Sequence, residues 1–197
     1  MRKVDPEKHD QKRREILAAA ERCFARSGFQ GASISEIRAA AGISSGHLYH
    51  YFASKEEIVK EIAELRLKAG IEAMEAILTG PDPLAAFLQH FCRPKPGGAD
   101  SGYLLLELLA EADRNPAIGT MIREHSARGR RLLADLVRRG QADGKLDAAL
   151  DPDLAASILI GILIDGMKAV TIRQPDLPRD RLGDMIELLV TRFLGAR

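Results

Sequence analysis

The sequence predicts an all-α fold of about nine helices, in which a three-helix headpiece precedes a longer helical domain. Three observations predict it. Apolar residues recur at helical spacing along nearly the whole 197-residue chain, and no sustained alternation marks a strand. Cap and stop residues punctuate that pattern at short intervals. Hydrophobic residues make up 46% of the chain and charged residues 29%, a globular composition with enough apolar material for a sizeable core.

The first helix runs from about Asp10 to Ser27, with Ile16, Ala20, Cys23 and Phe24 on one face. Gly28 stops it, as a glycine just past a helix end does. Ser33 caps a short second helix, and Glu36 three residues later completes a capping box. After Ala40-Ala41-Gly42, Ser44 caps a third helix ending near Phe52. Ser54 with Glu57 opens a long fourth helix to about Leu78. Thr79-Gly80-Pro81 breaks the chain, and Asp82-Pro83 starts a fifth helix to about Cys92. The Arg93–Gly98 segment, rich in proline and glycine, reads as a surface loop. A leucine-rich sixth helix follows, from Ser101 to Arg114. Asn115-Pro116 starts a seventh to about Gly140, Asp151-Pro152 an eighth spanning Leu154 to Arg173, and Pro178 a ninth from Arg179 to Leu194.

Two domains are expected, residues 1–55 and 56–197. The net charge of +1 is unevenly spread: the first 55 residues hold ten Lys and Arg against six Asp and Glu. A basic front end suits contact with phosphates, although four charges are a modest excess. Cys23 and Cys92 lie in apolar helical surroundings without a Cys/His cluster, which argues against a disulfide framework or a metal site. The charged N-terminus lacks the apolar run of a signal peptide. The longest apolar run, Ile158 to Ile164, is too short to span a bilayer. A cytoplasmic protein is expected. There is no GxSxG, phosphate-binding P-loop, HExxH or dinucleotide fingerprint, so no enzymatic activity and no cofactor are expected.

Within Ser33–Lys55, two short helices flank an Ala-Gly-Ile turn, where Gly42 supplies a permissive backbone. Ile34, Ile37, Ile43, Leu48 and Phe52 recur at burying spacings. Ser44, Ser45, Gly46, His47, Tyr49, His50 and Tyr51 are left outward. These side chains are small or are planar hydrogen-bonders, fitted to a DNA major groove and its flanking phosphates. The pattern I-x-x-x-A-G-I-S-x-G-x-L-Y-x-Y-F-x-x-K from Ile37 to Lys55 resembles the tetracycline-repressor (TetR) family of transcription regulators. The resemblance extends to the nine-helix plan, the Asp165-Gly166 pair in the eighth helix and a length near 200. It implies that Tyr49, Tyr51 and Lys55 contact phosphates and that Ser35, Ser45, His47 and His50 lie near base edges. Ser33, Arg38, Ser44 and Gly46 complete the expected DNA-binding set. Arg38 and His47 depart from the family, which often has a small residue and Thr there. The basic N-terminal residues Arg2, Lys3, Lys8, Arg13 and Arg14 read equally as a DNA-tracking arm or as a plain tail.

The remaining residues read as an effector-binding and dimerisation domain. The eighth helix is apolar nearly all round, and the ninth carries a broad stripe of Leu182, Met185, Ile186, Leu189, Val190 and Phe193. Together they suit a two-fold, four-helix contact giving a homodimer, or else the internal core of a monomer. Candidate effector-binding residues are Phe87, Phe91, Tyr103, Glu107, Glu111, Met121, His125 and Asp165, a mixture that suits an amphipathic or cationic small molecule. Glu107 is surrounded by leucines, so it faces a polar cavity, pairs with Arg123 or Arg128, or points to solvent. The expected function is a repressor released from a pseudo-palindromic DNA operator when a small molecule pivots helix 4. An activator and an architectural DNA binder without effector are the alternatives.

Overall fold

The computed structural model describes residues 6–92, 98–166, 170, 173, 174 and 176–196, without the side chains of 98–103, 105, 164–166 and 179. Arg2, Lys3 and residues 93–97 of the expected loop lie outside the described residues. Among the described residues there are nine α-helices and no strand. They are α1 (Pro6–Gly31), α2 (Ile34–Ala40), α3 (Ser45–Tyr49), α4 (Lys55–Leu78) and α5 (Pro83–Cys92). Then follow α6 (Gly98–Ala112), α7 (Pro116–Ala142), α8 (Pro152–Leu159) and α9 (Arg179–Phe193).

Local chemistry explains most boundaries. Gly28 sits at φ 68° and ψ 171°, a conformation that interrupts α1 and turns its last residues. At α2, Ser33 Oγ accepts the Glu36 N–H at 3.2 Å and the Glu36 carboxylate accepts the Ser33 N–H at 2.7 Å, so both arms of the box are closed. At α4, Ser54 Oγ accepts the Glu57 N–H, but the Glu57 carboxylate reaches back to the Ala53 N–H instead of that of Ser54. Asn115 and Asp151 cap α7 and α8, each ahead of a proline in the first turn.

The eighth helix departs from expectation. It is α-helical over Pro152–Leu159 and continues as a π-helix through Ile160–Gly166, and Val170 and Arg173 are again α-helical. A π-turn takes in extra residues and rotates the side chains that follow, so an even apolar stretch such as this one does not reveal it. No helix of the described residues is long and apolar enough to cross a membrane.

Two buried clusters fill the molecule. The first joins α1–α4 through Ile16, Phe24, Phe29, Ile37, Leu48, Phe52 and Ile58, and is closed by Leu104 and Leu108 of α6 and Ile118 of α7. The second joins Met74 and Leu78 of α4 to Phe87, Leu133, Val137, Leu159, Val190 and Leu194. The expected domain boundary falls at the start of α4, and the first cluster runs across it. Both cysteines are buried, and they are not joined in a disulfide.

Candidate nucleic-acid interface

Helix α3 is five residues long, too short to hold itself together by its own hydrogen bonds. It is held by packing and by its cap. Leu48 is buried between α2 and α1, and Ser44 Oγ accepts the His47 N–H at 3.3 Å. Gly42, at φ 64°, makes the turn that sets α2 against α3. With Leu48 inward, Ser44, Ser45, Gly46, His47, Tyr49 and His50 all face outward, and Tyr49 is 55% exposed. A Cβ at Gly46 would meet open space, so nothing within the chain itself requires glycine there.

The other expected DNA-binding residues are placed as follows. Ser35 is exposed on α2, and Arg38 is half-buried with its guanidinium 3.4 Å from Ser35 Oγ. The Ser33 hydroxyl is committed to the capping box, where its main-chain and side-chain donors hold the Glu36 carboxyl below the usual carboxylate range. Lys55 is half-buried, and its Nζ donates to the carbonyls of Ala32 at 3.2 Å and Gln30 at 3.4 Å. Tyr51 corrects the sequence reading, which left it outward: it is half-buried, packs on the first cluster and is covered by His9 of α1.

Arg13 is also more than a tail residue. Its Nε donates to Glu61 at 2.8 Å, its Nη1 to the Tyr51 carbonyl at 3.1 Å, and its guanidinium lies 4.6 Å over the Phe52 ring. The hydrogen bond that Arg13 donates to the Glu61 carboxylate raises the Arg13 pKa further above neutrality, so this tie among α1, α4 and the end of α3 keeps its charge. Sequence reasoning missed it because the partners lie 48 residues apart.

The described members of the expected effector set are spread over α5, α6 and α7. Phe87 is buried in the second cluster with Phe91 beside it, ring centroids 4.7 Å apart. Met121 packs against the first cluster. His125 lies between them along α7, and its Nδ1 is buried without a hydrogen-bond partner. The side chains of Tyr103 and Asp165 lie outside the described residues. Glu107 takes none of the three courses considered for it: its Oε2 accepts the Phe29 N–H at 2.9 Å, just after the break in α1. Glu111, one turn on, accepts from Gln30 Nε2 at 3.3 Å and from Arg114. Of the two arginines suggested as partners for Glu107, Arg128 pairs with Glu75 and Arg123 bonds Thr120. A small, open cleft lies beside this joint, lined by Phe29, Lys55 and Glu111 among others.

Comparison with known proteins follows the same division. Residues 16–62 match the family model described as bacterial regulatory proteins, tetR family. Residues 82–189 match the model of the tetracyclin repressor-like C-terminal domain. The chain is 25% identical over 172 residues to the HTH-type transcriptional regulator UidR of Escherichia coli (strain K12), covering 85% of each chain. It is 28% identical over 152 residues to the HTH-type transcriptional repressor KstR2 of Mycolicibacterium smegmatis, covering 76% of this chain and 74% of that one. Among solved structures, a transcriptional regulator from Saccharomonospora viridis in complex with choline superposes with a TM-score of 0.78 at 26% identity, covering 90% of this chain and 96% of that one.

Proposed function

Because the chain belongs to the tetR family of bacterial regulatory proteins, we propose that it is a repressor that binds a pseudo-palindromic operator as a homodimer and leaves it when a small molecule binds. The observation that carries the DNA half is the outward row Ser45, Gly46, His47, Tyr49 and His50 on a helix anchored by Leu48 and the Ser44 cap. Such a row meets base edges through His47, His50 and Ser45, with Ser35 and Arg38 flanking it on α2. Tyr49 and Tyr51 reach phosphates, and Lys55 does so by exchanging a carbonyl for a phosphate oxygen.

Dimerisation is supported by exposed apolar residues on α8 and α9, which hold five of the exposed large aliphatic residues, Leu65 of α4 being another. Leu154 and Ile158 are 65% and 45% exposed, and Met185, Leu188 and Leu189 are 59%, 41% and 52% exposed. Covering half-exposed side chains of this size contributes about 1 kcal/mol apiece. Ten of them across a two-fold axis supply enough to offset the loss of free tumbling. Two headpieces on that axis read half-sites about one helical turn apart.

Effector response is supported by two features. The unpartnered His125 Nδ1 costs about 1–3 kcal/mol while it stays unpaired, so a ligand that completes its hydrogen bonding between the two clusters gains on binding. The second feature is the joint at Phe29. A ligand that displaces α6 moves Glu107 and Glu111, and through them the end of α1 and the headpiece. This adds α6 to α4 as a route for the signal, and it operates only if the ligand favours one arrangement over the other.

Selection from random duplexes with the full-length protein, repeated at two salt concentrations, tests the proposal. It should return a palindrome whose affinity far exceeds that of random duplex, and the selected duplex should be released by a small molecule that also raises the melting temperature. Binding that follows salt but not sequence would establish an architectural role instead.

A further inference from the structure

Three of the five histidines in the chain meet around one tyrosine. The His9 ring lies 4.6 Å from that of Tyr51 and is tilted by 30°, so the two overlap in part. His47 and His50 approach the same tyrosine at 5.5 Å and 5.4 Å, and His9 and His50 meet edge to face at 5.9 Å. His47 and His50 are exposed, and the His9 side chain is 29% accessible. Packing does not require imidazoles at positions as open as these, where a leucine or glutamine would serve.

We propose that His9, which lies outside the helix-turn-helix, belongs to the DNA-binding surface, and that His9, His47 and His50 together make operator binding take up protons. The inference rests on the operator-binding reading above. An ordinary imidazole gains its proton as the pH falls from about 8 to 6. Several imidazolium charges at ring-contact distance repel one another unless an anion joins them. The phosphates flanking a major groove are such an anion, so DNA binding and protonation favour each other. Charges near His9 along α1 include Lys8, Asp10, whose carboxylate is 3.7 Å from His9 Nδ1, and Lys12, paired with Glu15. Arg13 is neutralised by Glu61, with Glu57 also acting on it. His9 has a second role in either protonation state, because its ring fixes the plane of Tyr51 against the duplex.

The test measures affinity for the selected duplex by fluorescence anisotropy from about pH 6 to 8 at constant ionic strength. One proton taken up on binding changes affinity by a factor of about ten per pH unit. The wild-type protein should bind at least about tenfold tighter at the acid end. Its salt slope should also be steeper there, by about 0.9 for each additional phosphate neutralised. His9→Phe keeps a ring against Tyr51 but cannot take a proton, so its affinity should rise by a smaller factor than that of wild type between the alkaline and the acid end. His50→Gln should lose a further part, while His90→Gln, on α5 beside Phe91, should show the pH dependence of wild-type binding. Affinity that is flat with pH, with tight operator binding retained, overturns this inference and leaves the regulator reading standing. Failure to select any duplex at any pH overturns both. Circular dichroism on each variant separates loss of contact from loss of fold.

Discussion

Two surfaces of this molecule are exposed for opposite reasons. The outward side of α3 carries Ser45, His47, Tyr49 and His50 over a buried row of Ile37, Leu48 and Phe52. The outward side of α8 and α9 carries Leu154, Ile158, Met185, Leu188 and Leu189 over an equally buried row of Ala155, Leu159, Val190 and Leu194. Each surface is thus backed by packed core, and only the outer chemistry differs. Polar groups on α3 are satisfied by water and lose little while unpartnered, so contact with DNA can be conditional. Leucines on α8 and α9 are penalised whenever water reaches them. In the proposed dimer the contact with a second copy is therefore continuous, and the proposed DNA contact is the one left for a signal to govern.

The sharpest way to break this contrast is to charge the apolar surface. Leu189→Glu places a carboxylate, twice over, near the proposed two-fold axis, where burial of an unpaired charge costs several kcal/mol. Sedimentation should show a monomer at micromolar concentration. Operator affinity should fall by about a hundredfold or more, since one headpiece then binds alone. The change leaves α3 untouched, so affinity for a single half-site should be preserved. A dimer that survives this substitution removes α8 and α9 from the interface.

The joint between the two regions gives the next largest effect. Glu107→Ala leaves the Phe29 N–H unpaired in a half-buried place and should lower stability by about 1–3 kcal/mol. Glu107→Gln retains an acceptor oxygen and should restore most of it. Gly28→Ala attacks the same joint from the other side: the residue must hold φ 68°, and its Cβ would lie 3.0 Å from Glu107 Oε2. Chemical denaturation gives these values. If the joint transmits the signal, Glu107→Ala should also bind operator with reduced sensitivity to effector.

On α3 itself, Tyr49→Phe and Tyr49→Ala grade a single contact. Tyr49 is 55% exposed, so its removal should leave the melting temperature within about a degree, as surface changes usually do. Loss of one phosphate contact should weaken binding about three- to tenfold at every sequence alike. A change of sequence preference would mean that Tyr49 reads bases.

What the sequence disclosed and what it withheld divide along the range of the interactions. Capping boxes, proline starts and the Gly28 and Gly42 breaks act within four residues, and they placed the starts of α2, α3 and α4 closely, whereas α1 begins at Pro6, ahead of the expected Asp10. The outward row of α3 followed from the burial of Leu48, a spacing argument. Long-range pairings left no such trace. Nothing near Glu107 announces that its acceptor role serves Phe29, 78 residues earlier. The Arg13–Glu61 tie and the cover of His9 over Tyr51 are hidden for the same reason, and the latter made Tyr51 look more exposed than it is. The π-helical stretch after Leu159 was missed on different grounds, because residues apolar on every side fit any helical period.

The smallest effect tests the part of the headpiece most legible from sequence. Ser33 was counted both as a cap and as a DNA-binding residue, and its hydroxyl is already engaged with Glu36. Ser33→Ala should cost about 1 kcal/mol of stability, as loss of an N-cap does. Its pH dependence carries a definite sign. Glu36 is held below its ordinary value by the Ser33 main-chain and side-chain donors, so the folded state binds its proton less readily than the unfolded chain. The stabilisation is then fully present above the ordinary carboxylate pKa of about 4.3 and is lost as pH falls through the lower folded value. Ser33→Ala should flatten that acid-side loss. If Ser33→Ala and Ser33→Thr differ in stability but bind operator equally, the residue is a cap alone; if Thr restores the fold but not the affinity, Ser33 meets DNA as well.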